Sequence, residues 1–232
     1  MEYKFNFSKK NCWFNKVCDK YDTEQCNERC SRYCNLHFLA EHSLLSKKQQ
    51  HPISLKVPLL DQASVNKLVD IRSDIVNFVK NGNNLLIQSE HTGNGKSTWS
   101  YKLIMQYLSN FGYSEKPKAL FINVPKFCIM KKDMMAGYTH KDLHYILDNI
   151  DKVDLVVWDD LAVTEMTPYD YLNIYVYIND RIDAGKSNIY TSNYVNEKLS
   201  KILGDRLYSR VVNGSKIVTF TSPDFRHVNT EE

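Results

Sequence analysis

The chain has 232 residues, of which 43% are hydrophobic and 25% are charged, and its net charge is +3. This is enough for one domain with its own apolar core plus a small additional segment. No apolar run approaches the roughly 18 residues that a membrane-spanning helix needs, and the start of the chain lacks an apolar signal segment. We therefore expect a soluble cytoplasmic protein with no membrane partner. So small a net charge does not by itself indicate nucleic-acid binding.

Taken in chain order, the predicted elements alternate between helices and strands after a Cys-rich start. We expect residues 1–45 to form an N-terminal module that ends in a short helix, 46–60 to be a linker, and 61–232 to form the main domain. Apolar periodicity predicts helices at 61–80, 96–108, 169–184 and 197–212, and strands at 83–88, 119–124, 154–158, 187–192 and 216–220. Short apolar strands that alternate with helices indicate an α/β fold, with a five-stranded parallel sheet covered on both faces.

The first predicted strand runs into a loop, EHTGNGKST at 90–98, and a helix follows. The phosphate-binding pattern is G-x-x-x-x-G-K-[ST] between a strand and a helix. Gly95, Lys96 and Ser97 match it, whereas Glu90 replaces the first glycine. In such loops backbone N–H groups wrap the phosphates, the lysine reaches the β- and γ-phosphates, and the serine ligates Mg²⁺. A chance glycine turn is the alternative, but the context favours nucleotide binding by Thr92, Gly93, Asn94, Gly95, Lys96, Ser97 and Thr98.

Two carboxylates end the strand predicted at 154–158, some 60 residues beyond the loop. In nucleotide hydrolases this Walker B arrangement places one carboxylate on Mg²⁺ and the next on the attacking water. We assign Asp159 to the metal and Asp160 to the water. Two aspartates at a strand end could instead cap a turn. Many related ATPases have Glu at the second position, so the shorter Asp160 is compatible with slow or partner-dependent hydrolysis.

Three polar residues beyond the fourth strand are further candidates. Asn193 follows that strand and could orient the lytic water, although turn asparagines are common. Arg206 and Arg210 are four residues apart on one helical face. Arginine near a γ-phosphate stabilises transition-state charge and can come from a neighbouring subunit. A solvated basic face is the alternative.

Several segments in series resemble AAA+ helicase loaders of the DnaC type, most of all those of phages of Gram-positive bacteria. They are LLIQSEHTGNGKSTW, LVVWDDL, NIYTSN, LGDRLYSR and the closing PDFR. The resemblance covers about residues 80–228 and implies an AAA+ P-loop core. It further implies Asn193 as sensor 1, Arg210 as an arginine finger in trans, Arg206 as a secondary candidate for that contact, and Arg226 as a sensor 2-like arginine. Only six residues follow Arg226, so we expect no C-terminal helical lid.

The same resemblance implies an ATP-dependent loader of the replicative helicase. Its partners would be a DnaB-type helicase hexamer, single-stranded DNA and further copies of itself, in a bacterial host's cytoplasm if a phage encodes it. A transposition helper ATPase of the IstB type shares the core motifs and is one alternative. A non-hydrolysing adaptor is the other, because Glu90 and Asp160 depart from the usual pattern.

Five of the six cysteines fall in the first 34 residues, at Cys12, Cys18, Cys26, Cys30 and Cys34. In an intracellular protein such clustering favours a metal over disulfides, and structural zinc takes four S or N ligands. We predict Zn²⁺ binding by Cys12, Cys18, Cys26 and Cys30, with Cys34 or His37 as substitutes. Reduced cysteines packed as small apolar side chains are the alternative, and an iron–sulfur cluster is a lesser one.

A last candidate surface follows the second strand. Lys126, Phe127, Lys131 and Lys132 combine lysines with an aromatic ring, which suits backbone contact and base stacking on single-stranded DNA. A solvated helix face is an equally good interpretation of this pattern.

Overall fold

A parallel sheet of five short strands organises the chain. The computed structural model describes residues 7–12, 14–15, 18–46, 59–112, 116–162 and 166–224. Its strands are β1 (Asn84–Gln88), β2 (Ala119–Asn123), β3 (Leu155–Asp159), β4 (Ser187–Ser192) and β5 (Ser215–Thr219). They lie in the order β2-β3-β4-β1-β5, and every neighbouring pair is parallel. The five-stranded parallel α/β sheet predicted from the sequence is therefore confirmed.

Alternate side chains of the strands pack into two apolar clusters on opposite faces of the sheet. Leu85, Ile87 and Phe121 belong to one cluster, and Leu86 and Trp158 belong to the other. Side chains alternate between the two faces of a strand, and both faces are covered here. The centres of the strands therefore appear in the sequence as apolar runs. None of the helices in the described ranges is long and apolar enough to cross a bilayer.

Helices cover both faces of the sheet, and two of them differ from the prediction. The helices are α1 (Ser31–Glu41), α2 (Gln62–Ser73), α3 (Ile75–Lys80), α4 (Lys96–Leu108), α5 (Val124–Met135), α6 (Lys141–Asn149), α7 (Pro168–Asp183) and α8 (Asn196–Val212). The helix predicted over 61–80 is two helices, separated at Asp74, whose backbone is not helical. Helix α8 is interrupted at Gly204, where φ is 64° and ψ is 160°, a conformation that essentially only glycine adopts.

Helix α1 of the Cys-rich segment packs into the core of the main domain. Leu36 and Leu39 belong to the same apolar cluster as the helices around β1. Asn35 Nδ2 donates to the carbonyl oxygens of Leu108 (3.2 Å) and Phe111 (3.0 Å), so α1 is fixed to the end of α4. A boundary at residue 45 therefore lies inside packed structure. Most of the predicted linker, residues 47–58, lies outside the described residues.

A buried arginine holds together the edge of the sheet where the strands begin. Arg181 of α7 is only 1% exposed, yet all five of its N–H donors have acceptors. Nε donates to Asn188 Oδ1, and the two terminal nitrogens donate to the four carbonyls of Ile150, Val153, Asp154 and Ser187. Burial lowers the pKa of Arg181 to about 10, so the guanidinium remains charged at neutral pH.

Replacing Arg181 by Met should lower the free energy of unfolding by about 3–5 kcal/mol, because several buried acceptors lose their donor at once. Denaturation in urea, followed by circular dichroism, measures this change. Arg72→Met is the matched control, since Arg72 is an exposed arginine of α2, and it should change the same quantity by less than about 0.5 kcal/mol. Similar losses from the two substitutions would contradict a structural role for Arg181.

Candidate functional site

The loop between β1 and α4 has the backbone shape that its glycines allow. Gly93 has φ of 70° and Gly95 has φ of 97°, both in the left-handed region that favours glycine. Gly95 is the N-cap of α4, and the first turn of that helix contains no acidic residue. The N–H groups at the start of α4 and the helix dipole therefore leave this end electropositive, which suits a phosphate.

Lys96, the first residue of α4, is buried although it carries a charge. Its Nζ donates to the carbonyl oxygen of His91 (2.6 Å) and to Oδ1 of Asn94 (3.0 Å). The loop thus supplies acceptors that keep the lysine beside the glycines. Glu90, which replaces the first glycine of the motif, is exposed and pairs with Lys198 of α8 at 3.6 Å. Its side chain is thus paired at the surface with a residue outside the loop.

One hydroxyl connects Asp159, the last residue of β3, with the backbone of Asp160. Thr191 Oγ1 donates to Asp159 Oδ1 (2.8 Å) and accepts from the backbone N–H of Asp160 (2.9 Å). Asp159 is 3% exposed, and Asp160 has a positive φ of 59°, which is uncommon for a residue other than glycine. Asn123 Nδ2 donates to Asp160 Oδ2 (3.3 Å). Three neighbouring strands, β2, β3 and β4, therefore fix the positions of these carboxylates.

The loop and the carboxylates interact electrostatically. Burial raises the pKa of Asp160, whereas the positive charge of Lys96 and the hydrogen bond from Asn123 lower it. Lys96, at the start of α4, and Asp160, directly after β3, lie at the same carboxyl edge of the sheet. A cation and a partly desolvated carboxylate at the carboxyl edge of a parallel sheet could bind a phosphate and position a water.

The remaining predicted site residues divide between two ends of the molecule. Asn193 directly follows β4 and is half-buried at the same edge as Asp159. Arg206 and Arg210 are exposed on α8. Arg210 Nη1 lies 3.8 Å from Asp183 Oδ1, at the end of α7. Arg226, the predicted sensor 2-like residue, lies outside the described residues.

The position of Arg210 separates it from the loop of its own chain. Helix α8 ends three residues before β5 begins, next to the start of β1, where Gly214 lies close to Asn84. The phosphate loop follows the other end of β1, and a strand of five residues is roughly 17 Å long. Both arginines of α8 lie toward the strand starts, beyond the kink at Gly204.

The structure corrects the aromatic part of the surface predicted for single-stranded DNA. Phe127 is fully buried in the apolar core and cannot stack on a base. Lys132 Nζ is bound to Asp170 Oδ2 at 2.6 Å, and Lys131 lies over the ring of Tyr177. Helix α5 is amphipathic: Phe127 lies on its buried face and the lysines lie on its outer face. Lys126 remains exposed.

Four of the N-terminal cysteines lie around one small cavity, which they line together with aromatic side chains: Cys12, Cys18, Cys26 and Cys30. Burial raises the pKa of Cys12, the backbone of Phe14 lowers it, and the other three cysteines raise it further. A cation bound among these side chains would favour the thiolate form of Cys12. The donor set therefore fits zinc by chemistry, although no three potential ligands among the described residues are arranged to hold a metal ion.

The two predicted substitutes for these ligands are engaged elsewhere. Cys34 is buried on α1, and its Sγ lies 3.2 Å from the carbonyl oxygen of Glu28. His37 Nδ1 is 3.5 Å from Glu41 Oε1 on the same helix. The structure thus separates Cys34 and His37 from the cavity that the other four cysteines line.

Sequence reasoning missed two residues that organise the site. Thr191 bridges the carboxylate of Asp159 and the backbone N–H of Asp160, and Asn94, which was assigned only as part of the loop, accepts from Lys96 through its side chain. A signal for Thr191 was present, because a hydroxyl on a fully buried strand needs a hydrogen-bond partner. Asn94 also donates to the carbonyl oxygen of Ser222, which is 128 residues away in the chain, and no local pattern reveals this contact.

Comparison with solved structures identifies the fold. No family model and no curated protein matches the chain. A crystal structure of the DnaC helicase loader matches 72% of this chain and 93% of its own at 18% identity, with a TM-score of 0.58. A putative primosome component from Streptococcus pyogenes serotype M3 matches 82% and 98% at 20% identity, with a TM-score of 0.54. The replication initiator DnaA, bound to AMPPCP and single-stranded DNA, matches 72% and 48% at 18% identity, with a TM-score of 0.56. The chain therefore has the AAA+ P-loop fold that these replication proteins share.

Gly93→Ala should lower both thermal stability and affinity for a fluorescent ATP analogue. An added Cβ would lie 1.8 Å from Asp224 Oδ1, and the backbone has a positive φ. We expect affinity to fall by at least about tenfold. Gly112→Ala is the matched control, because nothing lies within 4 Å of its added Cβ and its φ is not positive. Unchanged binding in the Gly93 variant would argue against phosphate contact at this loop.

Proposed function

We propose that this protein is an ATP-dependent loader of a replicative DnaB-type helicase. The observation that carries the proposal is the gathering of Lys96, Asp159, Asp160 and Asn193 at one edge of an AAA+ sheet. Replication ATPases are among the structures that share this fold, and one of them was solved with an ATP analogue and single-stranded DNA. DNA replication is therefore the setting that best fits both the fold and the site.

Each residue of the site has a role in this proposal. The loop from Thr92 to Thr98 binds the phosphates through its backbone N–H groups, and Lys96 turns from its loop acceptors to the β- and γ-phosphates. Ser97 and Asp159 would hold Mg²⁺, which neutralises phosphate charge. Asp160 accepts a hydrogen bond from the attacking water and, while it is ionised, can take its proton. Asn193 orients the same water from the end of β4.

Hydrolysis in this proposal requires a second copy of the chain. Arg206 and Arg210 lie away from their own loop, so the transition-state charge would be stabilised by the arginine of a neighbour, with Arg210 as the first candidate. ATP-bound protomers would then assemble side by side and hold single-stranded DNA. Hydrolysis would release the helicase. Slow turnover by the isolated chain is the expected consequence.

The N-terminal module is proposed to grip the helicase and to bind zinc through Cys12, Cys18, Cys26 and Cys30. Support comes from the cavity that these four side chains share and from the effect of the other three cysteines on the pKa of Cys12. Zinc would supply tetrahedral cross-links in a segment that has little regular structure before α1. Because α1 packs against α4, this module is best tested within the full chain.

Lys96→Ala should abolish helicase loading. Removing the buried ammonium takes away its contact with the β- and γ-phosphates, so ATP affinity should fall by at least about tenfold. Loading is measured as the helicase-dependent unwinding of a DNA fork coated with single-strand binding protein. Lys67→Ala, an exposed lysine of α2, is the control and should load normally.

The outcomes of this experiment separate the alternatives. A Lys96→Ala protein that loads normally contradicts the ATP requirement. ATP binding without hydrolysis, even with helicase and single-stranded DNA present, favours the non-hydrolysing adaptor. Stimulation of hydrolysis by a transposase, with no response to the helicase, favours the IstB-type helper.

The zinc content of the protein should depend on the four cysteines that line the cavity. We expect one Zn²⁺ per chain in the purified protein, lost from Cys26→Ser and retained by Cys34→Ser and Cys128→Ser. Metal analysis after gel filtration measures the stoichiometry, and helicase capture by the full chain, with and without chelator, measures the consequence. Equal zinc in all three variants would contradict the assignment, and zinc lost only from Cys34→Ser would move the site to that residue.

A further inference from the structure

After β5 the chain crosses beside the phosphate loop, and we call residues 220–224 the C-terminal strap. The backbone N–H of Phe220 donates to the carbonyl of Gln88 (2.9 Å), at the end of β1. Thr92 Oγ1 donates to Asp224 Oδ2 at 3.4 Å. The first residue of the strap therefore contacts the end of β1, and its last residue contacts the phosphate loop.

A buried carboxylate from a distant part of the chain holds this strap. Asp61 is 2% exposed, and its carboxylate accepts from the N–H of Thr221 (2.7 Å), the hydroxyl of Thr221 (3.1 Å) and the N–H of Ser222 (3.3 Å). Asp61 occupies the N-cap position of α2, yet its side chain makes no capping bond to that helix. Its hydrogen-bonding capacity is directed to the strap, 160 residues away.

The strap in turn contacts the side chain that positions the lysine. The carbonyl oxygen of Ser222 accepts from Asn94 Nδ2 (3.3 Å), and the same nitrogen donates to Ser89 Oγ (2.6 Å). Asn94 Oδ1 accepts from Lys96 Nζ (3.0 Å). Asn94 is buried, so a loss of its partner on the strap would not be compensated by water. A continuous set of hydrogen bonds therefore links Asp61 to Lys96 through Ser222 and Asn94.

We propose that Asp61 is a positioning residue of the nucleotide site and acts through the strap on Asn94. The inference rests on the proposed function, because it takes the loop to bind ATP. Asp61 directly follows the predicted linker, so the same hydrogen bonds couple the entry of the chain into the ATPase domain to the phosphate loop. By linkage, a partner that shifts the segment at Asp61 changes ATP affinity, and ATP changes affinity for that partner by the same factor.

Asp61→Asn tests the proposal, because it keeps the shape of the side chain but turns one acceptor into a donor facing N–H groups. We expect the Kd for a fluorescent ATP analogue to rise by about tenfold. Ser187→Ala is the matched control, since Ser187 is equally buried and its hydroxyl donates to the carbonyl of Asn83 at the opposite edge of the sheet. It should lower thermal stability and leave the Kd unchanged.

A double-mutant cycle with Asn94→Ala distinguishes positioning from a general structural role. If Asp61 acts through Asn94, adding Asp61→Asn to Asn94→Ala should raise the Kd by less than about twofold more. The proposal would be overturned if the double variant raised the Kd by the product of the two single increases. An unchanged Kd in Asp61→Asn would also overturn it. Should Asp61→Asn fail to fold, Thr221→Val removes one of the three hydrogen bonds and is measured in the same cycle. A wild-type protein that binds no ATP would instead refute the proposed function itself.

Discussion

Burying a parallel sheet on both faces creates the constraint on which this structure depends: the polar groups at both edges must find partners away from water. At the edge where strands begin, Arg181 meets this need with five donors from one side chain. At the edge where strands end, short polar side chains do so, among them Ser89, Asn94 and Thr191. The first edge is closed by the chain itself. The second is held by small polar groups of the strand ends and the phosphate loop.

The charged side chain of the candidate nucleotide site has acceptors within its own loop. Lys96 would be costly to bury without acceptors, and the carbonyl of His91 and the amide of Asn94 provide them. Phosphate oxygens are stronger acceptors for an ammonium than neutral carbonyl groups are. Phosphate binding, as proposed above, would therefore exchange weaker partners of Lys96 for stronger ones. The same reasoning applies to Asp159, which already accepts from Thr191 and so keeps one orientation for a metal.

Local patterns predicted the strands to within about one residue, because each strand has apolar residues at its centre. They failed where one residue broke a continuous pattern. Neither Asp74 nor Gly204 interrupts the helical spacing of apolar side chains, so the breaks at these positions were not visible. The burial of Phe127 was missed for the opposite reason, since the flanking lysines suggested an exposed surface. Long-range contacts, such as Asp61 with Thr221, lie beyond any sequence window.

The placement of the arginines bears on the proposed function. Arg206 and Arg210 lie on α8 beyond the kink at Gly204, toward the strand starts, whereas Lys96 lies at the edge where the strands end. In the function that we propose, the charge of a transferred phosphoryl group would therefore be stabilised by an arginine of a neighbouring protomer. Contacts of that kind would be heterologous and would extend into a ring or a helical filament. Hydrolysis would then depend on the assembly of protomers.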